Sequence, residues 1–323
     1  MNFDIIKQNG AYKKFSADVE NGNVSHAYIV LGEDETLREA FLTLACMKLL
    51  CPTACGECAT CRSVMEGSYV EILRLDAKEK VPEFAISELT DSVLINPVIG
   101  NRKIAIIDNA ELLTARAQNK LLKTYEEPPK YLTFFLGAGH ENGVLATIRS
   151  RAKKLYLEEL PSSVIEKMLV DEGISPEDAS IASAFSIGNY SRALKFCEDE
   201  SYKKIYDDTF DMMLNLKKSP QVVEYVYKDI FSKDKILATF GFIEILLCDI
   251  MKIVTCSGAP LYTVNREYDL KKMAESFSSQ SVAMSIIAVN EGRKRLNANM
   301  NHSGVAGSVL MEILEAKYKW QNK

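Results

Sequence analysis

The chain has 323 residues, 47% of them hydrophobic and 26% charged, with a formal net charge of −5 at pH 7. That length exceeds what one growing core supports, so two or three domains are expected, and the composition excludes disordered and fibrous classes. The acidic balance argues against a domain that coats nucleic acid through bulk positive charge, though not against DNA contact within an assembly.

Met1-Asn2-Phe3-Asp4 carries no basic region followed by an apolar run. No cleaved leader is expected, and a reducing cytoplasmic setting follows, in which the eight cysteines are not expected to pair. Ala27–Leu31 is a continuous apolar run ending at Gly32, and a helical pattern follows over Thr36–Leu50. After a cysteine-rich loop, Val70–Leu75 reads as a strand and Ile86–Leu94 as a helix, broken by Pro97 and Gly100. Lys103–Ile107 is a second apolar run, ending at Asp108. A helix over Thr114–Glu127 places Ala117, Leu121, Leu122 and Tyr125 on one face, with Thr114 as N-cap and Pro128-Pro129 as its stop. Leu132–Leu136 and Lys153–Leu157 complete the strands. Apolar runs without alternation, separated by helices, predict a parallel sheet buried on both faces.

From Pro161 onward the sequence predicts helices only: 162–172, 175–185 and 190–199 as a small three-helix unit, then 202–217, 220–231, 235–254, 266–278, 280–298 and 307–321. Phe240, Ile243, Leu247, Ile250 and Val254 recur at three and four residues and mark a buried helix face. Glu244, Asp249 and Lys252 interrupt this most apolar stretch, so it is not a membrane span.

Cys51, Cys55, Cys58 and Cys61 place four thiols within eleven residues, a spacing at which thiolates converge on one tetrahedral zinc ion. Four protein sulfurs close the coordination shell, so the ion is expected to be structural. Gly56 provides the turn between ligands and Pro52 helps end the preceding helix. The first three cysteines also have the spacing of iron–sulfur radical enzymes. A fourth ligand and the absence of further βα units oppose that reading. Cys46, Cys197, Cys248 and Cys256 read as packing residues.

Gly32 stands where a phosphate-binding loop opens. Laid against G-x-x-x-x-G-K-[ST], the chain has Leu37 for the second glycine, Arg38 for the lysine and Glu39 for the hydroxyl residue. Glu33, Asp34 and Glu35 add three negative charges, so no nucleotide is expected there. Asp108 matches a magnesium-holding strand end, but Asn109 follows where a hydrolase carries Glu, and Glu111 is expected to support a helix start.

Further motifs are Asn21-Gly-Asn-Val-Ser-His-Ala-Tyr28, Lys103-Ile-Ala-Ile-Ile-Asp108, Ala117-Gln-Asn-Lys-Leu-Leu-Lys123, Glu126-Glu-Pro-Pro129 and Ile148-Arg-Ser-Arg151. With the four-cysteine insert they resemble the clamp-loader subunits of the AAA+ superfamily, and within it the delta-prime class, over roughly residues 1–160. Arg295-Leu-Asn-Ala-Asn-Met-Asn301 resembles the segment before that family's last helix. The resemblance implies an α/β parallel-sheet P-loop-type (AAA+) domain over 1–160 with a zinc insert at 51–61. It further implies a helical lid over 161–200 and an all-α collar over 201–323 that joins neighbours in a ring. The partners implied are gamma/tau ATPase subunits and a delta subunit, with the sliding clamp and primed DNA reached through the assembly. Such a chain hydrolyses no ATP itself. The resemblance assigns Ser150-Arg151 to an arginine finger acting on the neighbour's nucleotide, with Ala152 where the family has cysteine. It assigns Arg192 to the lid arginine that senses phosphate in active members, here a structural remnant. An autonomous AAA+ ATPase is the rival reading.

Overall fold

The computed structural model describes residues 3–78, 83–263, 265–298 and 300–320. The chain divides into two compact units, Met1–Leu160 and Pro161–Lys323.

In the first unit, two helices, α1 (Phe3–Gln8) and α2 (Gly10–Glu20), precede strand β1 (Ala27–Leu31). Then come α3 (Glu35–Leu50), α4 (Ala59–Met65), β2 (Ile72–Asp76), α5 (Glu83–Ser92), β3 (Lys103–Asp108), α6 (Ala115–Glu126), β4 (Leu132–Ala138), α7 (Ala146–Arg149) and β5 (Lys153–Tyr156). The five strands form one sheet in the order β2-β3-β4-β1-β5, and every pairing is parallel. Chain order and spatial order part company at β1, which lies between β4 and β5. This reversal makes a crevice at the carboxyl ends of the central strands, where ligands of open α/β sheets bind.

Burial on both faces explains the continuous apolar runs. Ala27, Ile29, Leu31, Ala105, Ile107, Phe134 and Leu136 pack into a core with Leu121 and Tyr125 of α6. On the other face Tyr28 stacks on Phe135, while Phe15 of α2 meets both rings edge-on and Phe41 of α3 meets Phe15. Helices α1 and α2 were not anticipated from sequence. Asn9 caps α2 through its side chain, and Ile6, Tyr12 and Phe15 supply the buried face. The cysteine segment is also not wholly loop, because α4 carries Cys61.

The second unit contains only helices among its described residues: α8 (Ser162–Asp171), α9 (Pro176–Ser186), α10 (Tyr190–Glu198), α11 (Glu200–Asn215), α12 (Ser219–Val226), α13 (Ile236–Val254), α14 (Glu267–Ala274), α15 (Ser279–Asn297) and α16 (His302–Trp320). Phe242 of α13 joins the piece: it stacks on Phe185 of α9 and meets Phe196 of α10 and Tyr206 of α11. The helix expected over 220–231 is divided. The backbone extends at Lys228, and a 3-10 turn at Asp229–Phe231 then buries Ile230 and Phe231. Helix α16 starts five residues before the expected 307, because the Asn301 side chain accepts the Gly304 amide at 3.0 Å. Asn299, within the 295–301 motif, and residues 321–323 lie outside the described residues. No helix among those described is long and apolar enough to cross a membrane.

Candidate functional site

The crevice holds a side-chain network centred on Arg38. Helix α3 begins right after β1, and Arg38 shares its buried stripe with Phe41, Leu42 and Ala45. The side chain therefore points inward, and the residue is only 1% exposed. Its guanidinium donates from Nε to Asp108 Oδ1 at 2.5 Å, from Nη1 to the Gly32 carbonyl at 2.7 Å and from Nη2 to Asn109 Oδ1 at 2.7 Å. Asn109 is held in the left-handed region, at φ 52°. Its own side chain donates onward to Asp76 Oδ1 at 2.7 Å, and its amide donates to Asp108 Oδ1 at 2.9 Å. Asp76 also accepts the Lys78 amide, and these bonds hold its carboxyl below the ordinary range against the opposing effect of burial. All three nitrogens of the guanidinium are thus engaged with the ends of β1 and β3.

Strand β4 lies between β1 and β3, so the Arg38–Asp108 pair crosses over it at Gly137. A Cβ there would collide with the Asp108 carboxylate and stand 3.0 Å from Cδ and Nε of Arg38. The glycine is what lets the pair close across the strand.

The acidic loop residues behave differently from the sequence expectation of bare repulsion. Asp34 is buried at the N-cap of α3 and accepts the Leu37 amide at 3.0 Å. It therefore consumes a helix N-terminal donor of the kind that binds phosphate. Glu35 turns away to pair with Lys78. Only Glu33 and Glu39 of this stretch are exposed, and Glu39 is paired with Arg74 at 2.6 Å. Glu111 lies in a 3-10 turn, and its Oε1 also accepts the Gly139 amide at 2.8 Å, fixing the chain beyond β4.

The second site is the cysteine cluster. The Sγ atoms of Cys51, Cys55, Cys58 and Cys61 all lie within 4.8 Å of one another. Cys51–Cys55 and Cys55–Cys61 are each separated by 4.0 Å. At a Zn–S bond of about 2.3 Å, a tetrahedron places its sulfurs about 3.8 Å apart, so the group matches one ion. Local structure builds this cage. Cys51 caps the end of α3, Cys58 caps the start of α4 and accepts the Cys61 amide at 3.4 Å, and Cys55 accepts the Cys58 amide at 3.4 Å. The turn between them needs the left-handed conformation at Gly56. Hydrogen bonding, foremost from the Thr53 hydroxyl, lowers Cys51 to about 6, and the amide of Cys58 lowers Cys55. Burial pushes Cys61 up to about 12 in the metal-free chain, a cost that a bound dication offsets. Cys46 is buried inside α3 and likewise pushed to about 12 by burial, as expected of a packing residue.

Arg151 follows α7 and is exposed. It donates from Nη2 to Glu126 Oε1 at 2.8 Å and from Nη1 to the Thr147 carbonyl at 3.0 Å. Ser150 donates to the same carbonyl at 3.1 Å. Just behind them Glu141 accepts from Arg149, Lys154 and Tyr156, which lowers its carboxyl to about 2. In the second unit, Arg192 donates from Nη1 to the Ser186 carbonyl at 3.3 Å, tying α10 to the end of α9. The sequence pointed to Asn109 only as the residue standing where a hydrolase carries Glu, and not to Gly137 or to Glu126 as the partner of Arg151. Arg38 at i, with Phe41, Leu42 and Ala45 at i+3, i+4 and i+7, was the available signal that this arginine is buried.

Residues 7–161 match the family described as DNA polymerase III, delta subunit. The chain is 28% identical over 187 residues to DNA polymerase III subunit tau/gamma of Haemophilus influenzae, an alignment covering 55% of this chain and 27% of that protein. It spans 27% to 29% of the length of the first tau-type relatives it matches. It is 24% identical over 307 residues to DNA polymerase III subunit delta' of Bacillus subtilis, covering 92% of this chain and 93% of the relative. A solved gamma subunit-related protein of Thermotoga maritima aligns with 94% of this chain and 99% of its own, at 17% identity and a TM-score of 0.43. By the family match over its first unit and the near end-to-end likeness to a delta' subunit, the chain is similar to the delta-prime-type clamp-loader subunits of DNA polymerase III.

Proposed function

We propose that this chain is a non-hydrolysing subunit of the clamp loader. It stands in a ring beside gamma/tau-type ATPase subunits and a delta subunit, in the cytoplasm, and helps load the sliding clamp onto primed DNA during replication. Residues 1–160 form the nucleotide-type domain, 161–200 the lid and 201–323 the collar. The observation that carries the reading is the Arg38 guanidinium, which fills the place between Gly32 and Asp108 where phosphate and magnesium would be held. With Leu37 in place of the loop's second glycine and Asn109 in place of a water-polarising carboxylate, the crevice has neither room nor chemistry for hydrolysis.

Arg151 is the group this chain lends to its neighbour's nucleotide. A half-exposed guanidinium held by one exposed carboxylate exchanges partners at little cost, so the Glu126 pair is compatible with this role. The four cysteines hold a structural zinc ion. Their 4.0 Å sulfur spacing favours a single metal over an iron–sulfur cluster, in which each sulfur caps its own iron. Arg192 serves the helical packing of the lid.

The test is a loader reconstituted from gamma/tau-type and delta subunits with and without this chain, followed by assembly, ATP turnover and clamp loading. Omission should abolish loading. Arg151→Ala should leave assembly intact and slow turnover at the neighbouring site by about a thousandfold or more. Unchanged turnover would remove the finger role. Micromolar ATP binding with turnover by the isolated chain would establish the autonomous ATPase instead. Iron with labile sulfide in anaerobically purified protein would establish the radical enzyme.

A further inference from the structure

We propose that the cavity where the C-terminal ends of α11, α14 and α16 meet binds a small anion carrying an apolar body, with Lys317 as its charge partner. The cavity has a volume of about 470 Å³, within the range of ligand sites. Its inner wall is aliphatic, built from Leu214, Leu216, Met273 and Leu314. Lys317 lines the same space from the last turn of α16 and is only 6% exposed.

An ammonium has three donors to satisfy. Lys317 Nζ has the Leu216 carbonyl at a long 3.3 Å and the Phe277 ring at 4.5 Å. Among the described residues no carboxylate pairs with it. The other charged groups lining the cavity are Lys217 beyond α11, Lys272 of α14 and Glu275 just after that helix. The Tyr318 hydroxyl, also at the rim, is occupied with the Lys217 carbonyl at 2.5 Å. Three lysines against one carboxylate leave the cavity cationic. Burial and the Lys217 charge push Lys317 down to about 8. A buried charge of this kind is costly unless it meets a counter-charge. A carboxylate or phosphate entering past the exposed rim supplies it, while an apolar tail covers the leucine and methionine wall. The tail separates this site from a simple phosphate site. The head-group chemistry suits both a free organic acid and the terminal carboxylate of a peptide ending in an apolar residue.

The experiment is titration calorimetry on the full chain at pH 7 with hexanoate, its neutral counterpart hexanamide, inorganic phosphate, and a short peptide ending in leucine as free acid and as amide. Hexanoate or the free-acid peptide should bind below millimolar, at least about tenfold more tightly than its amide and than phosphate, because a charged partner is lost in the amides and the apolar wall in phosphate. Binding of hexanoate identifies a small acid as sufficient; binding of the peptide alone identifies a chain terminus. Lys317→Met should lower the affinity at least about tenfold. If that variant misfolds, the wild-type chain still decides the matter: affinity must fall as the pH rises from 7 to 9.5, with proton uptake on binding near pH 8.5. The proposal is overturned if neither acid binds below millimolar, if amide and acid bind alike, or if affinity is flat across that pH range.

Discussion

Replacing Arg38 by methionine keeps most of the buried volume and removes the charge. Asp108 then retains one backbone donor, the Asn109 amide, while its side chain is 16% exposed. Asn109 loses its guanidinium partner, and the Gly32 carbonyl loses its donor at 2.7 Å. Breaking a buried pair by removing one partner costs about 3–5 kcal/mol. A unit of this size loses roughly 2–4 °C of melting temperature per kcal/mol, so scanning calorimetry of the full chain should show a transition lowered by roughly 10 °C. The decisive comparison is the double variant. Asp108→Asn in the Arg38→Met background removes the stranded charge and should restore part of the loss, giving a coupling of about 2 kcal/mol or more. Neither variant should gain micromolar affinity for ATP, because Asp34 still holds the Leu37 amide and Leu37 still carries a side chain. Destabilisation below about 1 kcal/mol, or strictly additive single variants, would refute the view that the guanidinium organises this crevice.

Two further outcomes follow from the geometry. Purified chain should carry one zinc per molecule by elemental analysis. Chelation or Cys61→Ser should lower the melting temperature and expose the 51–66 segment to protease, with zinc retained at neutral pH and released on acidification as the thiolates protonate. The Lys317 ammonium should mark the stability profile. Its folded pKa is lowered from 10.5 to about 8, so between those values the unfolded chain binds more protons and stability rises with pH. The penalty is fully present below pH 8, amounts to about 3 kcal/mol at most, and disappears toward pH 10.5. Urea denaturation of Lys317→Met against wild type should show the variant more stable at pH 7 and the gap closing by pH 10; a constant gap would contradict the burial assigned to this lysine.

What was legible in the sequence was what local pattern determines. The convergence of four thiols depends on four residues within eleven, so spacing and the turn at Gly56 sufficed. Strands buried on both faces appear as unbroken apolar runs, and Thr114 at the N-cap of α6 appears as predicted, accepting the Ala117 amide at 3.1 Å. The destinations of long charged side chains were not legible. Arg38 finds Asp108 and Asn109 some seventy residues away, and Lys317 finds the Leu216 carbonyl a hundred residues away. Both lie at helical spacing on an apolar stripe: Lys317 is three residues beyond Leu314 and four beyond Ile313. The charge of each gives no hint of this; the period of the stripe points inward, and the long stems of these side chains can be buried where the charged end meets a partner.

The substitution at Arg38 also changes what the fold depends on. In a nucleotide-binding domain the group that bridges the first and third strands, phosphate with its magnesium, arrives with the ligand, and the stability it confers scales as RT ln(1 + [L]/Kd). Here the bridging group is the Arg38 side chain, covalently part of α3, and it closes onto both strand ends with no ligand. The loop after β1, the end of β3 and the glycine of β4 are therefore fastened together without a cycle of binding and release. On the function proposed above, a module built this way would not sense ATP through its own crevice. Whatever it contributes to an ATP-driven assembly must pass through its surface, where Arg151 is exposed and weakly held, and that is the physical reason to look for its activity in a neighbour's site.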